Sequence, residues 1–210
     1  MKVIVIGGGA AGFFGAIAAA ENGHDVTILE AASSVLAKVR VSGGGRCNLT
    51  HSCFEPRELV NSYPRGGKAL RGPFTRFQPS DTINWFESRG VQTKTESDGR
   101  MFPTTDDSAT IVDCLRSSAE DAGVVVRIRA NVSAIRKSGS GFFVTLQSGE
   151  SIQADRILLA TGGSRAGFEL TSSLGHQIVP PVPSLFTFKV HDPRIEDLPG
   201  VAVEHVDCQL

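Results

Sequence analysis

Lys2-Val3-Ile4-Val5-Ile6-Gly7-Gly8-Gly9-Ala10-Ala11-Gly12 stands almost at the start of the chain, and its reading decides the fold. Lys2 to Ile6 is a short apolar run rich in β-branched residues, the pattern of a buried strand. It passes directly into G-x-G-x-x-G, then an Ala-rich segment ending at Asn22-Gly23, then a second apolar run, Asp25 to Leu29. Glu30 closes that run, eighteen residues after Gly12. Strand, glycine turn, helix, strand and terminal acid all fit inside one βαβ unit.

Each position has a physical reason. Gly7 permits a sharp turn out of the strand, Gly9 allows close backbone approach to a pyrophosphate, and Gly12 lets the helix pack tightly on the sheet. The first-turn N–H groups near Ala10 and Ala11 have no partner in the helix, and the dipole there favours an anion by about 0.3–1 kcal/mol. Glu30 can accept both hydroxyls of a ribose and would repel a 2′-phosphate. The unit therefore suits an adenosine diphosphate with a free ribose, as in FAD or NAD, over NADP. Lys2, the apolar run and Ala18-Ala19-Ala20 loosely imitate a signal peptide, but five glycines inside the supposed apolar core argue against one.

With 210 residues, the chain has room for one ample domain, or one domain and the start of another. Its net charge is −1 and its pI about 6.5, so neither a nucleic-acid partner nor a membrane surface is expected, and a small-molecule substrate is. No apolar stretch approaches the ~20 residues that span a bilayer. Four cysteines without paired spacing, and no export signal, point to the cytoplasm with thiols reduced. No metal site is expected.

Further along, Ser42-Gly43-Gly44-Gly45-Arg46-Cys47-Asn48-Leu49-Thr50-His51 is a second glycine cluster, where backbone can approach a ligand beside a fixed cation. Residues 52–105 read as an insertion, with a turn-rich passage at Tyr63 to Lys68 and a short helix capped by Ser80 and ended by Gly90. Its Trp85 and Phe86 read as local core. Asp107 or Ser108 starts a stronger helix with Ile111, Val112, Leu115 and Ala119 on one stripe, and Val124 to Ile128 follows as a buried strand. Three meander strands come next, at Val132–Arg136, Phe142–Leu146 and Ser151–Ala154. Arg156 to Ala160 returns as a buried apolar strand and ends in Thr161-Gly162-Gly163. That brings a third small-residue loop to the sheet edge where ligands bind. A helix is expected at Ala166–Leu174, then a stiff proline connector, a domain boundary near 180, and an alternating strand at Leu185–Val190.

These motifs together resemble the glutathione-reductase-type FAD fold, and within it the flavoprotein family that includes aminoacetone oxidase and the bacterial bile-acid Δ4,6-reductase. The resemblance rests on Gly7 to Gly12 with Glu30, on Ser42 to Thr50, on Gly99-Arg100-Met101-Phe102-Pro103, and on Ala160 to Gly163 with Leu174-Gly175-His176. It implies an α/β fold: a Rossmann-like parallel sheet with an antiparallel β-meander, occupying residues 1–180, and the beginning of a mainly β domain over 181–210. By the same resemblance Gly7, Gly9, Ala10, Ala11 and Gly12 hold the pyrophosphate and Glu30 takes the ribose. Lys38, Ser42, Gly43, Gly44, Arg46 and Asn48 line the flavin side. Val132 offers its backbone to the adenine, and Thr161 and Gly162 close over the ADP half. The implied activity is that of an FAD-dependent oxidoreductase transferring hydride to or from flavin.

Three features depart from the family pattern: His51 replaces its usual asparagine, the stretch from Gly163 to Leu174 is short, and the sequence stops at Leu210 inside the second domain. The last departure gives the expectation of a fragment of a longer enzyme. Other readings compete. A disulfide reductase would need Cys47 and Cys53 as its redox pair, yet five residues intervene; on a helix their backbones would stand ~9 Å apart, beyond disulfide reach. An NAD-dependent dehydrogenase would continue as alternating strands and helices, where this chain has a meander. A truncated, non-catalytic nucleotide-binding module is the third alternative.

Overall fold

The computed structural model describes residues 1–182 and 191–194. The chain divides into two units, Met1–Ile178 and Val179–Leu210. In the second unit Asp192 and Arg194 form a local ion pair at 2.5 Å. The strand expected at Leu185–Val190 lies outside the described residues.

The first unit is organised around a four-stranded parallel sheet. Its strands are β1 (Lys2–Ile6), β2 (Asp25–Leu29), β6 (Val125–Arg127) and β10 (Arg156–Leu159), in the order β10-β1-β2-β6. Helix α1 (Ala10–Glu21) makes the crossover from β1 to β2. Strand β1 reads as an unbroken apolar run because both its faces are buried. Val3 and Val5 pack with Phe13, Ala16 and Ile17 of α1 and with Ile111, Val112 and Leu115 of α6 (Ser108–Asp121). Ile4 and Ile6 pack on the other face against Ile135, Val144 and Ile152 of the antiparallel meander β7 (Val132–Ser138), β8 (Gly141–Leu146) and β9 (Ser151–Ala154). The result is three layers: helices, parallel sheet, meander.

Two strands expected to be buried are edge strands instead. Val125, Val126 and Ile128 are exposed at β6, as is Leu158 of β10. The flanking layers are centred on β1 and β2 and leave the sheet's margins open.

The insertion folds as a small antiparallel sheet, β3 (Thr50–His51), β5 (Arg100–Pro103) and β4 (Thr93–Thr95), with short helices between its strands. These are α3 (Pro56–Leu59), α4 (Gly67–Phe74) and α5 (Pro79–Glu87), preceded in the chain by α2 (Ala37–Val41). The cap of α5 is Gln78, not the expected Ser80: its N–H donates to the Asp81 carboxylate at 2.8 Å, and Pro79 takes the first helical position. Trp85 and Phe86 are core, as expected. Trp85 packs on Phe14 of α1 with ring centroids 4.9 Å apart, and Phe86 is 4 % exposed. Arg89 stacks on Trp85 and pairs with Glu21 at 2.6 Å, so the insertion is fastened to α1. Helix α7 (Arg165–Ser173) follows β10. Among the described residues no helix is long and apolar enough to cross a membrane.

Candidate functional site

All four parallel strands end on one side of the sheet, and a cavity of about 880 Å³ lies along that edge. This is the position where open α/β sheets bind ligands, at the switch between strands that turn to opposite sides. The volume falls within the usual range for cofactor sites.

The turn after β1 is shaped by collisions a side chain would cause. A Cβ on Gly7, whose φ is +110°, would lie 2.4 Å from the Ala160 carbonyl oxygen. A Cβ on Gly12 would lie 1.9 Å from the Gly7 oxygen. Gly9 differs: a Cβ there meets nothing within 4 Å, and the residue lines the cavity with Gly7, Ala10 and Ala11. Gly12 is not part of the lining; its smallness serves packing of α1 on β1. Helix α1 begins after Gly9, with no side-chain cap and no acidic residue in its first turn. The positive end of a twelve-residue helix is thus left for an anion in the cavity.

Glu30 leaves the end of β2 and is held by two backbone donors. The Gly8 N–H donates to one carboxylate oxygen and the Ala32 N–H to the other, both at 2.7 Å. Each oxygen keeps acceptor capacity for a further donor. The Ala130 N–H donates to the Glu30 carbonyl at 2.8 Å, which brings Ala130, Asn131 and Val132 to the same end of the cavity.

At the other end, Lys38, Ser42 and Asn48 line the cavity, and Thr161 and Gly162 close it from the β10 side. A Cβ on Gly162 would lie 4.0 Å from the Lys38 ammonium nitrogen, so α2 and the third small-residue loop meet there. Ser42 gives its hydroxyl to the Val39 carbonyl at 2.8 Å. The Asn48 amide faces the carbonyls of Thr50 and Met101 at 3.0 and 3.3 Å, two acceptors that assign its nitrogen to that side.

Gly43, Gly44 and Arg46 lie outside the lining. Gly43 and Gly44 take left-handed φ of +56° and +68° to carry the chain from α2 toward β3. Arg46 turns to the insertion: it stacks on the Phe102 ring at 4.0 Å, pairs with Glu96 at 2.5 Å and reaches Asp106 at 3.5 Å. The Glu96 hydrogen bond holds the guanidinium pKa above its ordinary value, while Lys94 beside Asp106 holds that carboxyl below the usual range. His51 is exposed on β3, its Nε2 3.1 Å from the Asp98 carbonyl oxygen, and is not part of the lining.

Cys47 does line the cavity, yet it is 5 % exposed and burial pushes its thiol pKa up, against a lowering contact from Ser42. A protonated, buried thiol is a poor nucleophile. The segment from Cys47 to Cys53 is not helical, so the helical spacing raised against a disulfide does not apply; Cys47 and Cys53 are nevertheless both free.

Several residues here escaped the sequence reading. Gly8 sits at a variable position of the motif, but a Cβ there would lie 2.8 Å from Val35, and its N–H anchors Glu30. Its only signal was being the middle of three glycines. Phe77 and Thr82 wall the cavity from the insertion, in segments that carried no motif, and Phe14 joins them from α1, two residues past the glycine motif.

The fold and this site define a Rossmann-type dinucleotide-binding module joined to an antiparallel meander. The chain belongs to the HI0933-like family: the HI0933-like protein Rossmann domain matches residues 1–210. It is 32 % identical to a ribosomal RNA dihydrouridine synthase of Escherichia coli K12, over 97 % of this chain and 52 % of that protein. It is 30 % identical to a 3-dehydro-bile acid Δ(4,6)-reductase of Clostridium scindens, over 97 % of this chain and 51 % of that one. The chain thus spans about half the length of the curated relatives it matches. Among solved structures, the 3-ketosteroid-Δ4-(5α)-dehydrogenase of Rhodococcus jostii RHA1 shares the fold, with a TM-score of 0.56 and 16 % identity over 75 % of this chain and 45 % of that one. The family and fold class expected from the motifs therefore hold. The expectation of no nucleic-acid partner does not have the same support, since one of these relatives is named for action on ribosomal RNA.

Proposed function

We propose that this chain is the FAD-binding part of an oxidoreductase that reduces a carbon–carbon double bond. The carrying observation is the turn at Gly9, where the uncapped end of α1 and a Cβ direction free of protein atoms face the same cavity as Glu30. The residues fit the cofactor's parts. Gly9, Ala10 and Ala11 take the pyrophosphate on backbone N–H groups, Gly7, whose own N–H donates to the Leu29 carbonyl at 2.9 Å, makes the turn that presents them, and the Glu30 carboxylate takes the ribose hydroxyls. Ala130 to Val132 border the adenine, and Thr161 and Gly162 cover the ADP half. Lys38, Ser42 and Asn48 stand at the flavin end, where the Lys38 ammonium supplies positive charge beside the ring. Gly12, Gly43, Gly44 and Arg46 contribute by shaping the loops around it.

When bound, FAD supplies two-electron hydride transfer; the protein supplies position, charge and exclusion of water. Phe14, Phe77 and Phe86 give that end of the cavity an apolar wall. The choice of reaction follows the relatives, whose names, dihydrouridine synthase and Δ(4,6)-reductase, both denote hydrogen added across a double bond. The free thiols Cys47, Cys53 and Cys114 fit a reducing, cytoplasmic setting.

Titration of the purified chain with FAD and with NAD, read by flavin absorbance and by calorimetry, tests this. The expected result is a yellow 1:1 complex with FAD and no NAD binding. NAD binding alone would favour a dehydrogenase, and ADP binding without flavin retention a non-catalytic module.

A further inference from the structure

From Leu59 to Ser80 the chain carries four cations, Arg65, Lys68, Arg71 and Arg76, and no acid, within a protein of net charge −1. All four are exposed, and none forms an ion pair among the described residues. Arg46, Arg89, Arg100 and Arg127, by contrast, all hold carboxylates. Helix α4 sorts its faces clearly. Gly67, Leu70 and Phe74 are half-buried, while Lys68, Arg71 and Thr75, at i, i+3 and i+7, share an exposed face. A cation in the last turn steadies a helix, which accounts for Arg71 alone. The Arg65, Lys68 and Arg76 side chains are exposed and hold no carboxylate among the described residues.

Aromatic rings accompany these cations. Tyr63 is 42 % exposed and packs on Phe74 with centroids 5.7 Å apart. Phe77, directly after Arg76, is also 42 % exposed; it meets Phe14 edge-on at 5.3 Å and forms part of the cavity wall. A membrane-binding helix would show large apolar residues beside its cations, but Leu70 and Phe74 are half-buried and the exposed uncharged residues of α4 and its cap are Ala69, Gly72, Pro73 and Thr75. Unpaired cations leading to an exposed ring suit a phosphate backbone with unstacked bases.

We propose that residues 59–77 form a docking surface for the ribose-phosphate backbone of RNA, with a base of that RNA placed against Phe77 at the cavity. The proposal rests on the reductase reading of the cavity to explain why a base is delivered there; the surface itself is argued from charge and exposure.

Fluorescence anisotropy of the chain with a fluorescein-labelled RNA hairpin bearing a uridine-rich loop, measured across a salt series, tests it. Four phosphate contacts predict a slope of log K against log salt of about −2.8, and K68A/R71A should make it shallower by about 1.4. K68R/R71K should restore the parent slope. Phe77→Ala should weaken binding about 5- to 100-fold with the slope unchanged. An unchanged slope in K68A/R71A would overturn the proposal. So would equally tight binding to phosphatidylserine vesicles that is lost with the same substitutions, which would make this a membrane surface. FAD titration of the same samples separates the two readings. RNA binding without FAD binding removes the reductase and keeps the docking surface; FAD binding without RNA binding removes the docking surface alone.

Discussion

In the turn after β1, Gly7 and Gly12 are fixed by neighbours that leave no room for a Cβ, 2.4 and 1.9 Å away. In the loop after α2, Gly44 and Gly45 meet nothing within 4 Å and are required only by their left-handed φ of +68° and +86°. The first loop is set by the packing of helix on sheet. The second is set by Arg46, whose partners Glu96 and Asp106 lie fifty and sixty residues further on. One glycine run is therefore part of the cofactor fold proper. The other joins that fold to the insertion, and its glycines and Arg46 stay out of the cavity while Ser42, Cys47, Asn48 and Leu49 on either side reach it.

The sharpest way to break this contrast is inside the first turn. Gly12→Ala puts a methyl group against backbone that cannot move aside; it should cost more than about 3 kcal/mol, read as a lowered urea midpoint or loss of folded protein. Gly9→Val, three residues earlier, should leave the fold standing and abolish FAD binding, because its side chain enters the cavity alone. If both variants merely unfold, the distinction between packing glycine and ligand glycine is lost. Glu30→Ala should weaken FAD binding by about 1.5–3 kcal/mol, the scale of hydrogen bonds to a charged group; an unchanged titration would take Glu30 out of the site.

Smaller effects sharpen the second loop. Arg46→Ala should lower the thermal midpoint while leaving FAD affinity unchanged, since the guanidinium faces the insertion; a selective loss of affinity would return it to the flavin. The weakest signal is in pH. Burial raises the Cys47 thiol pKa above its ordinary 9.0, so the folded state keeps this proton longer than the unfolded chain. Its stabilising share is complete below the ordinary value and is lost as pH climbs through it toward the raised one. Cys47→Ala should flatten the decline of stability above pH 9.

Much of the fold was readable because its signals are local. The run Lys2 to Ile6, the turn and Glu30 lie within thirty residues, and sheet burial on both faces writes itself as an unbroken apolar strand. The meander was equally plain from alternation and its glycine turns. What stayed hidden depended on distant partners. Arg46 looked like a flavin ligand because nothing near it says that Glu96 will claim it. Strand β6 looked buried because a strand's composition does not reveal whether it ends up at an edge. A net charge of −1 hid the basic segment at 65–76, since acids elsewhere cancel it in the sum. Phe14 and Phe77 reach the cavity through tertiary packing, which leaves no periodic trace.

The direct test of the whole account is a crystal structure of the chain grown with FAD. The account predicts the pyrophosphate over the N–H groups that follow Gly9, the ribose on the Glu30 carboxylate, and the flavin between Lys38 and the insertion wall. Density for FAD anywhere else, or an ordered Gly9 turn with no ligand at saturating FAD, would contradict it.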